Sequence, residues 1–198
     1  MEILKNSQKY DFYWKILLLG AHGVGKSAFF KRLQYKDYTK YMEAENLNLK
    51  FCLDPDRIIV HIKYLNRIFR LKIFDTYIHR RFNFTHNYFN IDSINLIFYD
   101  AFNRESFNAL KYISDRILSI DEKKIIIIVR SKYELNLKST GNNIDIVSDE
   151  EVLEYLNNKN DNDNIFFFHL SSYEKYESGI NNLLEFIIKI SLKKYLRK

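Results

Sequence analysis

Residues 20 to 27 read GAHGVGKS, the spacing G-x-x-x-x-G-K-[ST], and three of the chain's five glycines fall within them. Glycines so placed let successive backbone N–H groups turn inward around anionic oxygens, and a helix starting at the lysine adds the positive end of its dipole. Lys26 has the charge and reach to meet the outer phosphates of a nucleotide, and Ser27 can offer its hydroxyl to Mg²⁺. The candidate phosphate-binding residues are therefore Gly20, Ala21, His22, Gly23, Val24, Gly25, Lys26, Ser27 and, opening the helix, Ala28.

Such a loop works only if a strand and a helix hold its two ends. Phe12 to Leu19 is a short apolar run ending at Gly20 and reads as a buried strand. From Lys26 to about Tyr35 there is no Gly or Pro, and Phe29, Phe30 and Leu33 recur at helical spacing. Ile58 to Leu65 and Ile68 to Phe74 flank Asn66-Arg67 and read as a hairpin that supplies one antiparallel edge strand. In its second arm Phe69, Leu71 and Ile73 alternate with Arg70 and Lys72, the period of a half-buried strand. Ile94 to Tyr99, Ile125 to Val129 and Ile165 to Phe168 are three further strand candidates. Helix patterns separate them over Arg104 to Ile120 and Asp149 to Leu156, the latter preceded by Ser148 with Glu151 three residues on, a capping-box spacing. A last helix runs from Gly179, with Ile180, Leu183, Leu184, Ile187 and Ile188 on one stripe. Polar stretches at Lys138 to Asn143 and NNKNDNDN at 157 to 164 read as surface loops. Strands alternating with helices predict an α/β sheet, mostly parallel, with helices on both faces.

The whole chain, 198 residues with 46% hydrophobic content, is expected to bury one core, so 1–198 reads as a single domain. Its single cysteine, Cys52, excludes a disulfide framework and a cysteine-based metal site, which fits a cytoplasmic protein. The opening MEILKNSQKY has no hydrophobic signal core, and Glu2 occupies the position that myristoylation needs as glycine. The formal charge of +6 is spread along the chain, which reads as a solvated Lys- and Asn-rich surface, and no nucleic-acid partner is expected. The exception is 189–198, a basic helix end where Lys189, Lys193, Lys194, Arg197 and Lys198 crowd together. It could make weak peripheral contact with anionic lipid, about 1 kcal/mol per basic residue.

Several stretches resemble the Ras superfamily of small GTPases, and within it the Rab branch. LKIFDT (71–76) resembles LQIWDT, FYDAFNRESF (98–107) resembles VYDVTNRESF, and the spacing of Arg81, Phe82, Tyr88 and Phe89 resembles ERF…SYYR. Matching stretches run from Lys15 to about Leu192. The resemblance implies a P-loop small-GTPase fold with a six-stranded, mostly parallel sheet and about five helices. It implies GTP or GDP with Mg²⁺ as ligands, Ser27 and Asp75 as the metal residues, and Tyr38 stacking on the base. Guanine would be read by Ser131, Lys132 and Glu134, standing where the family has Asn-Lys-x-Asp, and by Ser171 and Ser172 near the last motif.

The departures bear on hydrolysis and switching. Asp75 is kept, but Ile78 stands at the glycine that gives its N–H to the γ-phosphate, and His79 at the glutamine that positions water. The switch threonine maps to Glu45 counting forward from Ser27 and to Cys52 counting back from Asp75, while Thr39 sits too early. His22 brings bulk to a crowded loop position. Glu134 is one methylene longer than the family's Asp, and Ser131 lacks the bracing amide. The chain ends LKKYLRK without the cysteines that carry a Rab prenyl anchor. The expectation is a Rab-like guanine nucleotide-binding protein with impaired GTP hydrolysis and switching. It would act through effector proteins, with vesicle trafficking the implied setting; the alternative is a divergent GTPase that turns over with partner help.

Overall fold

The computed structural model describes residues 1–4, 9–35, 57–76, 92–131, 146–159, 163–170 and 178–195. In chain order its elements are β1 (Glu2–Leu4), β2 (Phe12–Gly20), α1 (Lys26–Tyr35), β3 (Arg57–Tyr64), β4 (Arg67–Asp75), β5 (Ile94–Asp100), α2 (Arg104–Ile120), β6 (Ile126–Ser131), α3 (Asp149–Asn157), β7 (Ile165–His169) and α4 (Ser178–Tyr195). The strands form one sheet in the order β1-β3-β4-β2-β5-β6-β7. β4, β2, β5, β6 and β7 run parallel, while β3 pairs antiparallel with both β4 and β1. β2 is central: the chain builds β3 and β4 on one side of it and β5 to β7 on the other. That reversal opens a crevice at the carboxyl ends of the strands.

Central position explains composition. β5 and β6 are buried at every residue, and Ile16 to Leu19 of β2 are wholly inaccessible, so these strands need apolar side chains on both faces. One face packs under α1 and α4, where Phe29, Phe30, Leu183, Leu184 and Ile187 meet Ile16, Leu18 and Leu71. The other packs under α2 and α3, where Phe107, Leu110, Ile117 and Val152 meet Leu17, Leu19 and Ile97. Each fully buried Leu, Ile or Phe contributes about 1.5–3 kcal/mol.

Four details depart from the sequence reading. The described residues hold seven strands rather than six, because Glu2–Leu4 adds β1 outside β3; the hairpin therefore does not supply the sheet edge. Three residues are too few for an alternation pattern to register. The hairpin turn is Leu65-Asn66 rather than Asn66-Arg67: both carry positive φ (48° and 57°), and Tyr64 pairs with Arg67. Two left-handed central residues give the turn the twist of its strands, and Asn tolerates that conformation while Leu does so at a cost. Ser148 does cap α3, accepting from Glu151 N at 3.2 Å, but the Glu151 carboxylate pairs with Arg104 instead of reaching back. Asn157 closes α3 and Asn158 caps it, so the polar 157–164 stretch begins inside the helix. The described residues contain four helices, and none is long and apolar enough to cross a membrane.

Candidate functional site

The loop leaving β2 turns at Gly20, whose φ is +127°. A Cβ added there would stand 2.2 Å from the Phe98 carbonyl oxygen of β5, so only glycine allows β2 and β5 to approach this closely. Gly25, φ +95°, returns the chain into α1, and an added Cβ there would touch the Ser131 side chain at 3.5 Å. Val24 is buried in the α1-side core, which anchors the middle of the loop, while His22 is exposed at its crown. Phe29 N donates to Gly25 O at 3.0 Å, so the helix begins immediately and directs its first N–H groups toward the loop.

Lys26, only 5% exposed, donates from Nζ to the Gly20 and Ala21 carbonyls at 2.8 and 2.6 Å. The ammonium is thus held inside the loop's own curve, the place where an anionic group would meet it. Ser27 Oγ donates to Asp75 Oδ2 at 2.9 Å across 48 residues of chain. β2 and β4 are parallel neighbours with Leu18 opposite Asp75, and this register carries the carboxylate to the loop. Next to it, Thr76 Oγ1 donates to Leu18 O at 2.6 Å and pins the chain leaving β4 onto β2.

This donor set suits Mg²⁺ with a polyphosphate. The ion typically takes one or two protein oxygens and completes its shell with phosphate oxygens and water. Here a hydroxyl and a carboxylate stand side by side, next to a loop with a buried ammonium. No cluster of three or more His, Cys, Asp or Glu exists among the described residues, so a metal held by protein groups alone has no support there.

The end of β6, where the family resemblance would put base recognition, is built differently. Ser131 is buried at the end of β6, and its hydroxyl donates to Tyr99 O at 2.8 Å. That donor is committed to β5, and Ser131 faces Gly25 across the space that an added Cβ would fill. Beside it, Arg130 of β6 pairs with Asp149, the first residue of α3, and His169 Nε2 at the end of β7 lies 3.4 Å from Asp149 Oδ2. Burial holds the His169 imidazole below its ordinary pKa; Asp149 works against this and Arg130 with it. One carboxylate therefore ties together the ends of the two strands that lead into the predicted base-contact segments. The sequence reading missed this cluster, and no local pattern could signal it, since its members lie 19 and 20 residues apart.

The stretch FYDAFNRESF proves to be a turn and a helix cap. Asp100 Oδ1 accepts from Phe102 N, the Asn103 side chain accepts from Ser106 N, and Ser106 Oγ accepts from Asp100 N. Of the predicted site residues, the structure brings together Gly20 to Ala28, Asp75 and Ser131. Tyr38, Lys132, Glu134, Ser171, Ser172, Ile78 and His79 lie outside the described residues, as do Thr39, Glu45, Cys52, Arg81, Phe82, Tyr88 and Phe89, the 138–143 stretch, Arg197 and Lys198.

Residues 15–134 match the family model described as Roc, Ras of Complex, domain of DAPkinase. The chain is 28% identical over 135 residues to Ras-related protein Rab-4A of Danio rerio, covering 66% of this chain and 59% of that protein. It is 31% identical over 107 residues to GTP-binding protein YPT1 of Saccharomyces cerevisiae, covering 53% and 48%. To Ras-related protein RABA1h of Arabidopsis thaliana it is 24% identical over 200 residues, covering 99% and 84%. The chain thus spans less than two thirds of the length of the first two.

Proposed function

Because the chain belongs to the Ras superfamily of small GTPases, with Rab and Ypt proteins among its relatives, we propose that it binds GDP or GTP with Mg²⁺ and switches weakly between them. The observation that carries this reading is the Ser27–Asp75 pair at 2.9 Å beside the buried Lys26. Ser27 and Asp75 would hold the metal, which when bound neutralises charge on the phosphate oxygens. Lys26 would exchange its two loop carbonyls for outer phosphate oxygens, and the inward backbone N–H groups would take the rest.

Weak switching follows from what the sequence lacks. A ligand shifts a conformational equilibrium only through contacts that differ between the two states. Ile78 at the glycine position, His79 at the glutamine, and Glu45 or Cys52 at the threonine leave few γ-phosphate contacts to differ. Hydrolysis is accordingly slow, and the protein acts chiefly by presenting a surface to protein partners, with vesicle trafficking as the setting and a cytoplasmic or peripheral location. The kept phosphate and metal residues favour one second reading, a divergent GTPase completed by a partner.

The test is the nucleotide released when purified protein is denatured, read by chromatography, with turnover measured on the same sample. Guanine nucleotide is expected, with GDP and a non-hydrolysable GTP analogue binding within about threefold of one another. Absence of nucleotide affinity overturns the proposal; ready turnover lost in His79→Ala establishes the second reading.

A further inference from the structure

The helix α4 carries two stripes. Leu183, Leu184, Ile187 and Ile188 are wholly buried and face the core. Beside them Phe186, Lys189, Ile190, Lys193 and Lys194 recur three and four residues apart, so they share a neighbouring face. That face does not end in open solvent. With Leu156 and Lys159 at the end of α3, and with Asn164, Ile165 and Phe166 at the start of β7, it encloses a groove of about 870 Å³. The volume is that of a small-molecule site.

The sheet contributes its edge. Among the described strands β7 pairs only with β6. Ile126 N donates to Asn164 O at 2.9 Å and Leu170 N to Arg130 O at 2.8 Å, so alternate peptide groups from Asn164 to Leu170 turn toward β6. Those of Ile165 and Phe167 turn outward, and Ile165 lines the groove.

The floor is apolar and already fixed. Phe166 meets Phe186 edge to face at 5.8 Å, Phe168 packs on Phe186 at 5.6 Å, and Phe186 and Ile190 lean on the α4-side core. Leu156 and Ile165 close the floor from the α3 side.

The rim is cationic. Lys159, Lys189, Lys193 and Lys194 line it against one described carboxylate, Asp163. Lys159 Nζ lies 2.8 Å from Asp115 and Lys189 Nζ 2.8 Å from Glu185, but both pairs are open to solvent, which makes them weak and exchangeable. Lys193 is exposed and forms no ion pair with a described residue. The rim holds four lysines and no arginine. An ammonium offers three donors on a flexible stem and can gather around a tetrahedral phosphate from several directions, whereas a planar carboxylate is best met by a guanidinium.

Volume, floor and rim select among anions. A lone phosphate needs neither four ammoniums nor an apolar floor. A long acidic peptide or an oligonucleotide exceeds the groove. A second copy of this chain, formally +6, brings like charge to it. The match is a small carbon skeleton that carries several phosphate groups.

We propose that the groove between α3, β7 and α4 binds a compact polyphosphorylated molecule. Lys159, Lys189, Lys193 and Lys194 take its phosphates, and its carbon skeleton rests on Phe166, Phe186 and Ile190. A free cyclitol or sugar polyphosphate and the headgroup of a phosphorylated lipid share this chemistry. The inference goes beyond the nucleotide reading and does not rest on it. The central strands and β7 run parallel, with the glycine-rich loop at the carboxyl end of β2 and the groove at the amino end of β7, so the two sites lie at opposite ends of the sheet.

The probe is inositol trisphosphate, titrated by calorimetry into the full chain in excess GDP and Mg²⁺. It is expected to bind at one site per chain and about tenfold more weakly in the triple variant Lys189→Gln, Lys193→Gln, Lys194→Gln. A second triple variant, Lys15→Gln, Lys63→Gln, Lys72→Gln, removes the same charge from β2, β3 and β4 and is expected to bind as wild type. If the first triple variant does not fold, Lys193→Glu alone, at an exposed position, carries the test with about threefold weakening. Lys26→Ala is expected to keep trisphosphate binding, so failure of the nucleotide reading and failure of this one are distinguishable. Vesicles separate the two sources. Preference for vesicles carrying phosphatidylinositol bisphosphate over phosphatidylserine vesicles of equal charge, competed by the trisphosphate, assigns the lipid headgroup. Trisphosphate binding without that preference assigns the free molecule. The proposal is overturned by no binding in either form, by equal loss in both triple variants, or by tighter groove-dependent binding of hexaglutamate or oligo-dT.

Discussion

On the function proposed above, the phosphate end of the site rests on a backbone frame that positions its side chains. Gly20 is pressed against Phe98, Val24 is sunk in the core, α1 starts at once, and the β2–β4 register delivers Asp75 to Ser27. At the ends of β6 and β7, where the same proposal puts the base, the described parts are side chains. Ser131 has turned its hydroxyl to β5, and the Arg130–Asp149–His169 cluster braces the strand ends from below. A site made from backbone keeps its shape as long as the fold does, whereas a site made from side chains can change one substitution at a time. On the function proposed above, this difference would account for a phosphate loop kept in full beside a base-reading motif altered at Ser131 and Glu134.

The largest effect that would break this contrast is at Lys26. Lys26→Ala removes the one buried ammonium in the loop and is expected to weaken GDP binding by about 10²–10³-fold in calorimetry, with the fold intact. Wild-type affinity in that variant would mean the loop is not a phosphate site. Next is Gly20→Ala, where the added Cβ would meet the Phe98 carbonyl at 2.2 Å. Separating β2 from β5 is expected to cost on the order of 3 kcal/mol, seen as a melting temperature lower by roughly 6–12 °C. Gly23→Ala, where an added Cβ meets nothing within 4 Å but the φ of +77° still disfavours a side chain, is expected to cost less. If the two cost the same, the β2–β5 approach is not what holds the loop.

The base end should yield smaller numbers. Preference for GDP over ADP is expected to be narrow, and Glu134→Asp to sharpen it about tenfold in competition titration, because a carboxylate at the shorter reach leaves fewer guanine donors unpaired. Strong guanine preference in the unaltered protein would erase the contrast. Smallest is the pH response of the bracing cluster. Burial first, with Arg130 assisting, keeps His169 below its ordinary value of 6.5 in the folded protein, although Asp149 opposes them. The unfolded chain then takes up a proton more readily, so stability from this residue is complete above pH about 6.5 and is lost as pH falls below it. Denaturant titrations are expected to show lower stability at pH 5 than at pH 7, and His169→Gln to remove its share of that slope. An unchanged pH slope in His169→Gln would show that the imidazole is not what titrates.

Local patterns announced the parts of this protein whose determinants are local. The phosphate loop shows in eight consecutive residues because glycine conformation, lysine charge and helix start are all encoded there. α2 and the central strands show because burial on a fixed period leaves a readable trace. The Ser148 cap was visible in its spacing, but the Glu151 carboxylate went to Arg104, a partner 47 residues away that no window contains. β1 was invisible because three residues carry no period, and the hairpin turn was misplaced by one residue because Asn66 suits either position.

What the sequence determined by itself was the order of the longer elements, the parallel sheet and the place of the glycine-rich loop between strand and helix, since each follows from backbone preference and apolar periodicity. Tertiary structure alone decided which distant groups meet. It set Asp75 on Ser27 through the β2–β4 register, committed Ser131 to Tyr99, and tied Arg130 and His169 to one carboxylate. The physical reason is common to all three. Pairing register and strand order join residues far apart in the chain, and charge or hydrogen-bonding capacity becomes a site only when that joining leaves it concentrated in one place.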